Sequence, residues 1–296
     1  MNPLPVFLAS NDAYACFAAT MMMSIAEHTS ATVHFHLFAD DISPARRTKL
    51  ARAIERYRHV SLELHGDLER KLDAHLTSWY PTRAIFSRYF IADLFPAYDL
   101  CLYADVDTIF EVDIAELFAR GVGDHGIAGC HDMGLHTVVD VTAHKDRLGI
   151  PQEHDYFNNG LLLIDAAYWR RNRVAEELTR IAQERKGMVT FPSQDPMNIF
   201  FSPNRYLRLP QRFNFMPAFG STASEPTVNH YTWPKPWNDP ATPQADAFLE
   251  IARRSPFARE IWWKRYQWLF GKPGRAFRHI LTQRKRHSSA NTRSSN

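Results

Sequence analysis

The strongest constraint on this 296-residue chain is an alternation: short apolar runs, each followed by a stretch that reads as helix. Val6 to Ala9, Val33 to Phe38 and Val60 to Leu64 are strand-length runs bounded by turn residues. Ser10-Asn11-Asp12-Ala13-Tyr14 can cap a helix running to about His28, and Ser43-Pro44 starts another by the N-cap and first-turn proline rule. A helix from about Thr82 to Phe95, carrying Arg83 and Arg88, stops at Pro96 ahead of a fourth apolar run. This alternation predicts an α/β fold, a mostly parallel sheet flanked by helices. Ligands bind such sheets beyond the carboxyl ends of the strands.

The fourth run, Leu100 to Ala104, empties into Asp105-Val106-Asp107. If the strand persists, the two carboxylates share a face; if it bends, both can still reach one ion. Paired hard oxygen ligands suit Mg²⁺ or Mn²⁺, which complete their shells with water and substrate phosphates. The loop after the first strand and the Asp105–Asp107 turn are both strand C-termini, so they should face one crevice.

Further along, Asp113 to Phe118 reads as a short helix and Gly126 to Cys130 as a strand ending in His131-Asp132. Asp155 to Gly160 leads into a strand over Leu161 to Ile164, and Asp165 opens a helix toward Arg185. Phe191 to Asn198 caps a short helix running through Phe201, and Arg208 to Pro243 is an irregular stretch rich in Pro, Phe and Trp. Ordered aromatic loops of that length are usually functional. His34 and His36 share a face, read here as the outward polar side of a half-buried strand.

With 45% hydrophobic and 13% aromatic residues, the chain has ample material for a core. Three well-separated cysteines, Cys16, Cys101 and Cys130, match no disulfide or zinc spacing and read as reduced, buried thiols of a cytosolic protein. The first residues lack a basic leader, and no run approaches the roughly 18 apolar residues of a membrane span. The net charge of +3 hides an asymmetry. From Arg253 onward there are 12 basic residues against Glu260, leaving 23 basic and 31 acidic residues before it. A basic tail on an acidic body points to an acidic partner surface.

In order along residues 4 to 240, these motifs resemble the family 8 retaining glycosyltransferases, in particular the bacterial lipopolysaccharide galactosyl- and glucosyltransferases. The matching pieces are Ala9-Ser10-Asn11-Asp12-Ala13-Tyr14, Arg88, Leu102-Tyr103-Ala104-Asp105-Val106-Asp107 and Phe157-Asn158-Asn159-Gly160-Leu161. Gln194-Asp195, Arg212 to Pro217, His230-Tyr231 and Lys235-Pro236-Trp237 follow. The first loop departs from the Asp-Asp-Asn-Tyr-like string common in the family, and Thr232-Trp233 stands where small residues are usual. The resemblance implies a Rossmann-like glycosyltransferase A-type catalytic domain over residues 1–243. Residues 244–296 are then a helical, basic, aromatic-rich region that attaches to an anionic membrane surface at the inner face of the cell membrane. Mn²⁺, with Mg²⁺ as alternative, would be bound by Asp105, Asp107 and His230. Ser10, Asn11, Asp12, Tyr14, Arg88, Val106, Asn158, Asn159 and Lys235 would complete the donor site. Gln194 and Asp132 would face the transferred sugar, with Asp195 as a further nucleophile candidate. The implied reaction moves galactose or glucose from a UDP-sugar to a saccharide or glycolipid acceptor, without nucleic acid.

Two other readings compete. Asp105-Val106-Asp107-Thr108 also fits the Asp-x-Asp-x-Thr of haloacid-dehalogenase-like phosphatases, where the first Asp is the nucleophile. An inactive fold that binds membranes through its basic tail is the non-enzymatic alternative.

Overall fold

The structure is a computed structural model and describes residues 2–66, 83–220 and 225–270. Its main sheet has seven strands in the order β3-β2-β1-β4-β7-β6-β8. These are β1 (Leu4–Ala9), β2 (Val33–Phe38), β3 (Val60–His65), β4 (Leu100–Ala104), β6 (Ile127–His131), β7 (Phe157–Asp165) and β8 (Leu207–Arg208). Strands β1 to β4 pair in parallel, as does β8 with β6, while β7 runs antiparallel between β4 and β6. Two short strands, β5 (Thr108–Phe110) and β9 (Val228–His230), form a separate antiparallel pair with Thr108 opposite His230.

The central strands read as continuous apolar runs because both faces are covered. Val6, Leu8, Leu102, Ala104, Leu161 and Leu163 join one buried cluster, while Phe7, Cys101, Tyr103, Leu162 and Ile164 join the other. That is the period-two alternation of a strand feeding two cores. Helix α1 (Ala15–His28) lies in the first cluster with Met21, Met22 and Met23 fully packed, and α2 (Pro44–Ile54) lies beside it. All three cysteines are free and buried.

Several local expectations are corrected. The segment before β4 is a 3-10 turn over Arg83–Tyr89 followed by the single turn α3 (Ile91–Leu94), and Thr82, its expected start, lies outside the described residues. The helix expected from Asp165 to Arg185 is two, α4 (Ala166–Arg171) and α5 (Val174–Glu184), broken where Arg173 takes a left-handed φ of 50°. Asn158-Asn159-Gly160 belong to β7 itself, because pairing of Asn158 with Cys130 of β6 and the bond from Asp105 N–H to Gly160 O override their poor strand propensity. His36 is not on an outward face: it is 2% exposed, stacked on Phe7 and covered by Phe95 and Tyr98.

The hydrophobic core continues past residue 243. Phe248, Leu249 and Ile251 of α6 (Ala245–Arg254), then Phe257 and Ile261, share a cluster with Val6 and Leu102. Helix α7 (Ala258–Phe270) therefore begins docked on the body, while its Trp262, Trp263 and Tyr266 stand exposed. The rest of the expected helical and basic region, residues 271–296, lies outside the described residues.

Trp169 of α4 is buried to 1% exposure and donates its indole N–H to Gly126 O at 2.8 Å. We expect Trp169→Ala to lower stability by about 3–5 kcal/mol through the cavity and the lost indole hydrogen bond. Urea unfolding followed by circular dichroism reads this as a lower midpoint.

Candidate active site

The strand order reverses beside β1, so the loops after β1 and β4 flank one crevice. Beyond Ala104 the chain bends, and Asp105-Val106-Asp107 form the turn into β5. Antiparallel pairing with β9 sets His230 opposite Thr108, one residue after Asp107. Asp105, Asp107 and His230 each offer a ligand atom, and these lie within 4.8 Å of one another.

Hydrogen bonds decide which atoms stay available. Asp105 Oδ1 accepts from Arg88 Nη2 at 3.0 Å and from Tyr103 OH at 2.9 Å, so its other oxygen faces Gly160 and His230. Burial pushes the Tyr103 hydroxyl well above its ordinary pKa, so it stays a donor. Asn214 Oδ1 lies 2.9 Å from His230 Nδ1, and an N–H there leaves Nε2 with its lone pair. Asp107 Oδ1 stands 3.3 Å from that Nε2, buried and without an aligned hydrogen-bond partner. A carboxylate oxygen and an imidazole lone pair aimed at shared space are what a cation between them satisfies. A Cβ added to Gly160 would lie 2.2 Å from His230 Cε1 and 2.9 Å from Asp105 Oδ2, so a side chain there collides with two of the three groups. The residues fit a divalent metal.

Lys235 Nζ donates to Asp107 Oδ2. Burial pushes the Asp107 carboxyl up, but the Lys235 ammonium, joined by His230 when that ring is protonated, outweighs it and holds the group well below the carboxylate range. Arg88 is 4% exposed and also donates to Asn159 O, so it fixes Asp105 from behind rather than reaching the open site. Val106 packs into the core and brings its backbone alone to the turn.

The second half of the site surrounds Gln194, which opens α8 (Gln194–Phe200) and which is held by β7. Its Oε1 accepts from Asn159 N–H at 3.1 Å and Asn158 Nδ2 at 3.2 Å, and its Nε2 donates to Asp132 Oδ2 at 2.8 Å. Asp132 Oδ1 accepts from Gly134 N–H at 3.0 Å. Asn158 Oδ1 accepts from Asn214 Nδ2 at 3.0 Å, which joins this network to the residue behind His230. Asp132, Asn158 and Gln194 form the polar end of a cavity of about 900 Å³ whose walls include Leu135, Val138, Phe219 and Trp233.

Two expected site residues point elsewhere. The Asn159 side chain follows the strand alternation away from Asn158 and donates to Ser193 Oγ at 3.1 Å. Asp195 is 0% exposed: its Oδ1 meets His144 Nε2 at 2.8 Å and Tyr156 OH, and its Oδ2 caps Thr190 and Phe191 N–H at 2.7 and 3.0 Å. That carboxylate holds the turn ahead of Gln194 and does not line the cavity.

In the first loop Ser10 is buried, Asn11 Oδ1 caps Tyr14 N–H at 3.0 Å, and Tyr14 is 40% exposed beside Phe17 and Trp237. Asp12 accepts from Ser43 N–H at 2.9 Å and pairs with Arg46 at 3.0 Å. Arg46 in turn pairs with Glu260 of α7 at 2.8 Å. Sequence reasoning quoted Tyr103, Gly160 and Asn214 inside motifs without giving them roles. Tyr103 carries a signal, standing two residues before Asp105 on a strand, whereas Asn214 depends on a long-range contact.

A model of the glycosyl transferase family 8 matches residues 5–241. The chain belongs to that family. Similar proteins include the glycosyltransferase GlyF of Streptococcus pneumoniae, 28% identical over 87% of this chain and 60% of its own length. The lipopolysaccharide glucosyltransferase WaaO of Escherichia coli is 29% identical over 75% of this chain and 69% of its own length. This chain spans about three fifths or less of the first curated relatives it matches. The galactosyltransferase LgtC, solved with donor and acceptor sugar analogs, superposes with a TM-score of 0.74 at 22% identity, over 88% of this chain and all of that one. The bifunctional glycosyltransferase WbbM gives 0.77 at 22% identity, over 88% of this chain and 51% of that one. The fold is thus the expected glycosyltransferase A type, with β7 as its antiparallel member. The phosphatase alternative gives way to this family match, which spans the Asp105–Asp107 turn.

Asn214 supplies a test of this geometry. We expect Asn214→Ala to weaken divalent-metal binding about 10–100-fold by releasing His230, while the far-ultraviolet spectrum is kept. Titration of Mn²⁺ followed by electron paramagnetic resonance measures the affinity.

Proposed function

We propose that the chain is a metal-dependent retaining hexosyltransferase that moves galactose or glucose from a UDP-sugar to a saccharide or glycolipid acceptor in surface-glycan synthesis. The observation that carries this reading is the union of two features. Free atoms of Asp105, Asp107 and His230 converge beside a polar network, Asp132–Gln194–Asn158, at the end of a deep cavity. Two carboxylates and one imidazole suit Mn²⁺, with Mg²⁺ as the alternative. When bound, such an ion supplies Lewis-acid neutralisation of charge on the leaving diphosphate.

The chain's own residues do the rest. Lys235, already against Asp107, is a charge-assisted donor for the diphosphate oxygens. Exposed Tyr14 at the first loop supports a stacking role toward the base, with Ser10, Asn11 and Asp12 shaping that loop. Asp132 and Asn158 offer acceptors and donors for sugar hydroxyls, and Trp233, 67% exposed on the cavity rim, is a face for an acceptor sugar ring. An amide is a poor nucleophile and Asp195 has both oxygens committed, so a covalent glycosyl–enzyme step lacks a free carboxylate there. Front-face displacement follows, the acceptor hydroxyl passing its proton to the departing phosphate oxygen while Gln194 holds the sugar in place.

We expect Asp105→Ala, Asp107→Ala and His230→Ala each to abolish Mn²⁺-dependent UDP release across a panel of UDP-hexoses. Gln194→Ala should lower kcat about a hundredfold with UDP affinity unchanged. Full activity in the Asp105/Asp107 double variant, or an inverted anomeric product from the unaltered chain, would refute the assignment.

The membrane role is a companion proposal. Trp262, Trp263 and Tyr266 are exposed on α7, and seven basic residues follow Phe270. Near an anionic surface each basic residue contributes about 1 kcal/mol, and tryptophan and tyrosine favour the headgroup layer. Among the described residues no helix is long and apolar enough to cross a membrane. Deleting residues 271–296 spares the packed Phe257 and Ile261, and we expect the shortened chain to lose flotation with anionic vesicles. Flotation equal to that of the full chain would exclude the tail as anchor.

A further inference from the structure

A second convergence of ligand atoms lies far along the sheet from the candidate active site, on the β2–β3 edge. Parallel register sets His36 of β2 opposite Glu63 of β3, with His34 two residues before it on the same face. His34 Nε2 and His36 Nδ1 lie 3.6 and 3.8 Å from the same oxygen, Glu63 Oε2. His65 Nε2 stands 3.0 Å from His36 Nδ1, and His65 Nδ1 lies 3.6 Å from Glu63 Oε1. The donors of His34, His36 and Glu63 all fall within 4.8 Å of one another.

The groups behind these donors are arranged as they are behind metal-bound imidazoles. The Tyr98 hydroxyl lies 2.9 Å from His36 Nε2 and 3.3 Å from His34 Nδ1. That one oxygen has two lone pairs and can accept an N–H from both rings, the arrangement that leaves lone pairs on the opposite nitrogens. Those are the two nitrogens nearest Glu63. Outer partners that lock the tautomer in this way are characteristic of histidine metal ligands.

We infer that His34, His36 and Glu63, with His65 as the fourth donor, form a site for a borderline transition metal, zinc before others, which staples edge strand β3 to β2. Neighbouring donors around tetrahedral zinc stand about 3.3 Å apart, close to the 3.6 and 3.8 Å between the two imidazole nitrogens and Glu63 Oε2, while His65 lies beside this set and swings in to join it. Imidazole-rich ligands favour zinc, nickel, copper or cobalt over manganese, which separates this site chemically from the Asp105–Asp107–His230 set. In the metal-free arrangement His65 Nε2 donates to His36 Nδ1; with metal bound that proton would sit on His65 Nδ1, leaving the Nε2 lone pair for the ion.

The probe is Co²⁺ added to the chelator-stripped full-length chain. We expect one equivalent of tightly bound Co²⁺ with the intense visible absorption of four-coordinate cobalt, displaced stoichiometrically by Zn²⁺. Glu63 is half exposed and His34 partly so, and Glu63→Gln and His34→Ala should each weaken binding at least tenfold in a folded protein. Zn²⁺ should raise the Tm of the unaltered chain and not that of Glu63→Gln. His230→Ala should keep the band. Absence of the band, its survival in both β2–β3 variants, or its loss in His230→Ala would overturn the inference.

Discussion

Two carboxylates placed two residues apart at the mouth of a buried strand repel each other, and much of the molecule is arranged to answer that charge. Arg88 and Tyr103 hold one oxygen of Asp105, and Lys235 holds one oxygen of Asp107. Each partner comes from a different part of the chain, and each leaves the second oxygen uncovered. Binding one oxygen while sparing the other lets so much negative charge persist in a partly buried turn without quenching its capacity to ligate. The short β5–β9 pair has the same purpose, since its register alone brings His230 alongside Asp107.

Rigidity around that turn comes from the sheet. Strand β7 is paired on both sides, to β4 and to β6, and it carries Asn158 and Gly160 into the site from within the hydrogen-bond ladder. Asn158 then connects Gln194 and Asp132 on one side to Asn214 on the other, so these side chains and the His230 imidazole share a single continuous frame. Such networks gain their value from being fully satisfied, and little in this one has to be ordered when a ligand arrives.

The sequence made the strands legible where alternation was strong. Leu100 to Ala104 and Leu161 to Ile164 read correctly because buried central strands are apolar on both faces. Asn158 and Asn159 were read as a lead-in because their propensities speak against a strand, and tertiary pairing decided otherwise. The convergence of Asp105, Asp107 and His230 followed from family resemblance, since nothing local joins positions more than a hundred residues apart. His36 looked solvent-facing because the cover that buries it, Phe95 and Tyr98, comes from a distant segment. The same blindness made Asp195 look available, whereas Tyr156, His144 and two backbone amides consume its oxygens.

The cavity walls and the polar site have different carriers in the chain. Asn158 and Gly160 sit on a doubly paired strand, while Leu135, Val138 and Trp233 sit on connections that make few ladder bonds. Loops tolerate exchange far better than paired strands do. On the proposed function, acceptor preference is thus a modular trait, open to grafting from one homologue to another, whereas donor chemistry is inherited with the sheet and resists piecemeal redesign.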